Sequence, residues 1–497
     1  EKGTQFLINA VSVPSDEESN LVIDGKYVSD WHIGSNFFQT YALNHHGYLN
    51  IGYMIICLSN AAMLHFSYKS RGINPPKALY HHMLELWKVT KEFTFSDGRL
   101  LRIGGDTRVR YCYCQDYAIP AWLFMVDKFD DLDCESFEIG WLGQVKKEME
   151  NNGDGTYLSD RCGELEVQSP IYYTRLESDR AVTLSMGAYW RRIFKELSKG
   201  EEVKSEMNYS KSDKSYFWQD TYHGACVHKS SNRVASWVWH AGELPQGLCL
   251  PPDSSDLAEW RWNLAGRIKG IGTKNYQKVL SHHEKVFAGG FITTGQMESY
   301  SERMISEQQN RDLTALHRVV FAALPDEATV VVMQHAIAPY RSYLTSVKGL
   351  LLHVPNDLFN NYSRTIYFKD NERNLTGLNN EKEEILDLQS SWLNIDNKLG
   401  VVGVYGGKSL SVYRPGRRQV GIKNIDNPDT TGMLYAEEIC FPVREELHSV
   451  DANSTLFDIG FAVQSNVSQA DTKLFAKTKA MKIEINHPNL RAIYVEG

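Results

Sequence analysis

Between Asn50 and Trp190 the apolar residues recur at helical spacing. Ile51, Met54, Ile55, Leu58, Ala62 and Phe66 fall on one face, as the core side of an amphipathic helix requires. Asn74-Pro75-Pro76 then punctuates the chain, and Leu79, Met83, Leu86 and Trp87 predict a second helix behind a proline start. The two read as an antiparallel helical hairpin. Further helices are predicted over 119–126, 136–149 and 180–197, with breaks such as Asn151-Asn152-Gly153-Asp154-Gly155 between them. Residues 199–215 are polar, charged and aperiodic, which marks a domain boundary. Beyond it the pattern changes to short β-branched or aromatic runs bounded by turn signals: 225–228, 234–239, 318–324, 328–333 and 401–405. The patterning therefore predicts an α+β multidomain protein, helical over 1–200 and a large antiparallel β-sandwich over 216–497.

Composition narrows the partners. A chain of 497 residues exceeds one ordinary core, consistent with two domains. The formal charge of −8 argues against nucleic acid, because phosphate binding needs a basic field. Aromatic residues make up 11% of the chain, with 26 Tyr and 11 Trp, and flat rings suit stacking on sugar faces. The eight cysteines form no CxxC pair and no zinc spacing with histidine, so thiols are expected. No run of about 18 apolar residues predicts a membrane span. The chain starts at Glu1 without an initiating Met or a signal peptide, as expected of a mature secreted product or of a recombinant piece.

The densest chemistry lies in Ala42-Leu43-Asn44-His45-His46-Gly47-Tyr48-Leu49-Asn50-Ile51-Gly52-Tyr53, a turn running into an apolar helix. An amide to neutralise a carboxylate, an imidazole to take a proton and a phenol to take or return one are what β-elimination at a uronic acid needs. Asn44 fits the first task; His45 or His46, with Tyr48 or Tyr53, fit the others. The plainer reading is that His45 and His46 cap a helix and pack.

A second cluster, Ile103-Gly104-Gly105-Asp106-Thr107-Arg108-Val109-Arg110-Tyr111-Cys112-Tyr113-Cys114-Gln115-Asp116-Tyr117, puts Arg108 and Arg110 on one face of an expected strand. Two guanidinium forks suit a bidentate grip on a carboxylate, and Tyr111, Tyr113 and Tyr117 add phenols, of which Tyr111 joins the proton-transfer candidates. The alternative is a solvated loop in which Arg108 pairs with Asp106 or Asp116. His223 and His228, followed by Trp237, Trp239 and His240, lie just past the boundary; His223 and Trp239 are candidates for sugar contact, although each histidine is better explained as a satisfied core residue. His81-His82 and His282-His283 read as surface or packing residues. No cofactor is required and no metal ligand set is indicated; a structural calcium at Gly153-Asp154-Gly155 or Phe129-Asp130-Asp131-Leu132-Asp133 is compatible with the carboxylates but lacks a regular ligand ladder.

Together, the helical first part, the His/Tyr-rich helix start, the Gly-Asp-x-Arg-x-Arg turn and the β-rich remainder resemble polysaccharide lyases built as an incomplete (α/α) toroid followed by antiparallel sheets, the hyaluronate/chondroitin and heparinase II/III-like lyases. Ala225-Cys226-Val227-His228-Lys229, and Leu316-His317-Arg318-Val319-Val320-Phe321 through Val330-Val331-Val332-Met333-Gln334-His335, carry the likeness in the sheet region. The resemblance implies Asn44 on the carboxylate, His45 or His46 and Tyr48 or Tyr53 in proton transfer, and Arg108 with Arg110 orienting the sugar. The likeness is greatest to the bacterial lyases that release terminal L-rhamnose from glucuronate in arabinogalactan side chains. That implies an acidic poly- or oligosaccharide substrate, a periplasmic, cell-surface or secreted bacterial setting, and exo action with one end of the cleft walled by 151–161 or 244–256.

Two other functions compete. An (α/α)-toroid glycoside hydrolase needs two carboxyl groups across the scissile bond, for which Asp97, Asp106 and Asp116 are candidates, none in an apparently apolar setting. A glycan-binding protein without activity needs only exposed aromatics.

Overall fold

The computed structural model describes all residues except 106–111, 113, 195–196, 198–214, 243–244, 259–262, 273, 306–307, 378–382, 407–408, 416–435 and 479–497, together with the side chains of 164, 168, 304–305, 308–309 and 415. The chain divides into two compact units. One comprises Glu1–Arg102 and Arg108–Lys211, the other Ile103–Thr107 and Ser212–Gly497.

The first unit is helical: α1 (Lys2–Ala10), α2 (Val28–Trp31), α3 (Ile51–Ser70), α4 (Met83–Glu92), α5 (Ala118–Phe129), α6 (Asp133–Asn152), α7 (Ser159–Gln168) and α8 (Pro170–Ile193). Its centre is α5, in which nine consecutive residues from Ala118 to Val126 are buried. A helix apolar on every side belongs inside a bundle, and α5 packs against α3, α4, α6 and α8. Among the described residues α3 alone is long and apolar enough to cross a membrane, yet 56% of that window is buried within the unit, as befits a core helix. The expected second helix is interrupted: Lys77–Tyr80 is a 3-10 turn, His82 takes a left-handed φ of 57°, and α4 begins only at Met83. α1, α2 and α7, which the apolar spacing does not predict, complete the set. These packings do not establish a toroid.

In the second unit every ladder among the described residues is antiparallel. A nine-stranded sheet runs in the order Lys274–Phe287, Gly290–Ile305, Gln308–Ala323, Thr329–Ala338, Ser454–Ser465, Leu399–Tyr405, Trp392–Ile395, Ser363–Phe368 and Asn371–Thr376. A four-stranded meander, Tyr216–Asp220, Ala225–Lys229, Val234–Val238 and Gln246–Leu250, packs on it through Trp237, whose ring lies 5.1 Å from that of Phe321. The stretch 244–256, expected as a loop, thus contains a core strand, and a Cβ on Gly247 would come within 2.6 Å of the Trp237 ring. The short segment Ile103–Thr107 belongs to this unit rather than to the helices: the Gly242 N–H donates to the Gly104 carbonyl at 2.8 Å.

Candidate functional site

The segment from Asn44 to Tyr53 forms a two-residue hairpin followed by a capped helix. Asn44 pairs with Leu49 and His45 with Tyr48, and the loop residues His46 and Gly47 carry φ values of 58° and 86°. Two successive positive φ angles are the mark of a type I′ turn, whose twist matches that of the flanking strands. Gly47 takes the second position at no steric cost. Asn50 then ends the hairpin and starts α3, its Oδ1 accepting the Tyr53 N–H at 3.1 Å. The cap is therefore Asn50, and His45 and His46 are left for other work.

These turns bring three aromatic heterogroups together. The His45 ring lies against the Tyr53 ring, centroids 3.8 Å apart and planes 31° apart. His46 stands edge-on to both, at 4.1 Å from His45 and 5.9 Å from Tyr53. Asn44 and His46 are exposed, His45 and Tyr53 half-buried. Tyr48 is 7% exposed, with its centroid 6.5 Å from that of His46; its ring supports the hairpin from below and offers little surface to a substrate.

Two residues that the sequence reading passed over border this cluster. Asn50 is fully buried and its Nδ2 donor has no hydrogen-bond partner among the described residues, a costly arrangement in a folded interior. Arg102 is 1% exposed, and its Nη2 sits 3.2 Å from where a Cβ on Gly52 would lie. A guanidinium is thus packed against the first turn of α3, where the helix dipole also favours an anion. Both were legible only as a cap and as a residue beside a leucine run; tertiary packing alone places them here.

Arg108, Arg110, Tyr111 and Tyr113 lie outside the described residues, as does Asp106. Just beyond them Asp116 is locked in a buried network. It accepts the Trp141 indole N–H at 2.9 Å and Arg180 Nε at 3.0 Å; Arg180 Nη1 reaches Glu148 at 2.6 Å, and Arg161 Nη2 reaches the same carboxylate at 3.0 Å. Burial pushes the Asp116 carboxyl up, opposed by Arg180. The expectation of a polar setting for Asp116 is therefore corrected, but its position is structural. Asp97 pairs with Arg99 at 2.8 Å. Tyr117 donates to Asp179, and burial raises its phenol to about 12.

In the second unit, Trp239 is fully buried and donates to Thr293 Oγ1 at 2.7 Å, so the expected sugar-stacking face is not exposed. His223 is fully buried, its Nδ1 2.6 Å from Asp220 Oδ2, so it offers no exposed face for the expected sugar contact. The acidic loops considered for calcium are otherwise engaged: Asp154 accepts from the backbone and hydroxyl of Thr156, and Asp131 and Asp133 pair with Lys91 at 2.8 Å. No disulfide forms among the described residues, and seven of the eight cysteines are buried.

No protein-family model matches the chain, and no curated protein matches it. Solved structures resemble it in part. The GH36 α-galactosidase AgaB from Geobacillus stearothermophilus superposes with a TM-score of 0.31 at 6% identity over 51% of this chain and 41% of its own. The α-galactosidase from Lactobacillus brevis gives 0.27 at 9% identity over 53% and 41%. A putative mutarotase, YeaD, from Salmonella typhimurium gives 0.27 at 12% identity over 50% and 94%. The chain spans about two fifths of the galactosidases it matches. Likenesses this distant fix neither a family nor an activity.

Proposed function

We propose that the protein is a polysaccharide lyase that cleaves the glycosidic bond at C4 of a uronic acid by β-elimination. The observation that carries this reading is the contact of His45, His46 and Tyr53 on one partly exposed hairpin and helix start. In such a reaction a base removes the C5 proton, the electron pair passes into the carboxylate as an enolate, the C4–O bond breaks, and the leaving oxygen takes a proton, leaving a 4,5 double bond. Two imidazoles and a phenol in contact supply a base and an acid within reach of one sugar ring. The carboxylate needs neutralising so that the enolate can form, and the Asn44 amide on the same hairpin can donate to it.

Within that class we assign exo release of a terminal L-rhamnose from glucuronate, on the strength of the sequence resemblance. The hydrolase reading is weaker because two of its three candidate carboxylates, Asp97 and Asp116, are held by arginines. The test is incubation with gum arabic and other uronate polymers while following the near-ultraviolet absorbance of a 4,5-unsaturated uronate. Its rise together with early free rhamnose supports the full reading. A rise with rapid loss of viscosity keeps the lyase and rejects exo action; sugar release without the absorbance rejects elimination.

A further inference from the structure

A second histidine pair converges on one buried carboxylate far along the chain from the hairpin. Asp16, in the 3-10 turn Pro14–Glu18, has its Oδ2 3.3 Å from His81 Nε2, while His82 Nε2 lies 2.9 Å from Oδ1 and 3.1 Å from Oδ2. All three residues can point one ligand atom each into a space where those atoms lie within 4.8 Å of one another. Tetrahedral zinc bonds of about 2.0–2.1 Å place neighbouring ligand atoms about 3.3–3.4 Å apart, close to the spacing found.

Charge balance argues for an ion. Asp16 is 2% exposed, and among the described residues its ion-pair partners are the two imidazoles alone, with no lysine or arginine. Its Oδ2 also accepts the Val13 amide N–H at 3.0 Å. A buried carboxylate without a cation is unfavourable, and a divalent ion would neutralise it.

The outer layer has the form metal sites use. The Tyr41 hydroxyl lies 3.0 Å from His82 Nδ1, so that ring is oriented with its Nε2 toward Asp16, as a metal-bound imidazole is oriented by a partner on its other nitrogen. His82 and Tyr41 both hold left-handed backbone, with φ of 57° and 60°, a conformation that non-glycine residues keep only where their surroundings impose it. His82 is the half-exposed member, leaving the solvent side for a water as fourth ligand.

We propose that Asp16, His81 and His82 bind a divalent transition-metal ion of the zinc class, which clamps the amino-terminal turn to the start of α4. Two imidazole nitrogens and one carboxylate oxygen select zinc or its neighbours over calcium or magnesium, which prefer oxygen. The competing arrangement is a metal-free carboxylate–imidazole cluster in which each Nε2–H donates to Asp16.

The test uses the full chain, stripped with chelator, loaded with zinc chloride and dialysed. Elemental analysis should find one zinc per chain that Asp16→Asn does not retain, and zinc should raise the melting temperature of the wild type but not of the variant. Crystals of the wild type measured at the zinc absorption edge should show anomalous density between the two Nε2 atoms and Asp16, a readout that holds even if the variant fails to fold. Wild type that retains no zinc, anomalous density only at other histidines, or a folded Asp16→Asn protein with undiminished zinc would each overturn the assignment.

Discussion

The first unit contains two His-His dipeptides, and they have opposite surroundings. His45-His46 sits on an exposed type I′ turn with its rings against a phenol. His81-His82 sits at a break between a 3-10 turn and α4 with both Nε2 atoms on one buried carboxylate. The same two residues are thus set up for proton transfer in one place and for holding a charge in the other. What differs is the neighbour: an aromatic hydroxyl leaves an imidazole able to gain and lose a proton, whereas a buried carboxylate fixes both its tautomer and its direction.

The comparison breaks most sharply in activity. His45→Ala and His46→Ala should lower turnover on the preferred uronate polymer by about 10²- to 10⁴-fold for whichever imidazole is the base, the range a positioned acid or base supplies. For the exposed His46 the melting temperature should barely move, since exposed substitutions usually stay within about 0.5 kcal/mol. The matched change His82→Ala should do the reverse, with stability lost and kcat retained. Kinetics and thermal melts of the three variants decide it; a large loss of turnover in His82→Ala with an unchanged melt would erase the distinction.

Next in size is Asp16→Ala, which leaves the buried His81 and the half-buried His82 without their acceptor and should cost about 1–3 kcal/mol. The pH dependence has a definite sign. Because the folded carboxyl titrates below its ordinary value, the folded state binds fewer protons than the unfolded one. The stabilisation is present above about pH 4, where the unfolded carboxyl is ionised, and is lost as pH falls toward the folded value. Denaturant melts between pH 7 and pH 3 should therefore show wild type and Asp16→Asn converging as the pH drops. Parallel curves would mean that Asp16 contributes no such linkage.

How legible this was in the sequence depends on the range of the interaction. α3 and the strands Ala225–Lys229, Val234–Val238 and Leu399–Tyr405 follow from local apolar spacing, and the helical stretch before residue 200 and the β-rich stretch after 216 are visible for that reason. The strand Lys274–Phe287 is not, because both its faces are partly exposed and its residues alternate among polar types, so no apolar period marks it. His45, His46 and Tyr53 were legible because one turn and one helical turn suffice to gather them. Asp16 and His81 are separated by 65 residues, and nothing local says that two packing-like histidines share a carboxylate. Trp239 was misjudged for the same reason: only the arrival of the second sheet, with Thr293 to accept its N–H, buries it.

A smaller effect is expected from Asn50→Ala. Removing the side-chain acceptor from the Tyr53 N–H should cost about 0.5–2 kcal/mol, the usual range for a lost amino-terminal cap. The cap also fixes the first turn of α3, where Tyr53 meets His45, so turnover should fall more than the melt implies. Asn50→Asp restores the acceptor but adds a negative charge beside the site, and should recover stability while weakening the affinity for an acidic substrate. Recovery of both, measured by melts and by KM, would show that nothing anionic binds near this helix end.

The finest test of the comparison is Gly47→Ala. A Cβ at Gly47 meets nothing within 4 Å, so no packing is disturbed and no chemical group is removed. The only penalty is backbone: φ is 86°, and placing a Cβ there costs about 1 kcal/mol. The chain can relieve that cost by opening the type I′ turn, which would swing His46 and loosen the contact of His45 with Tyr53. If the hairpin merely carries the histidines, kcat should track the small loss of stability and stay within a few-fold of wild type. If, as the 3.8 Å separation of the His45 and Tyr53 rings implies, the turn sets the distance between base and acid, kcat should fall by an order of magnitude or more while KM changes little, because misplacement by about 1 Å is enough for such a loss. The corresponding change at the other pair has no counterpart, since His82 holds its left-handed backbone against Asp16 and Tyr41 and replacing it by Gly removes the side chain that the position exists to direct.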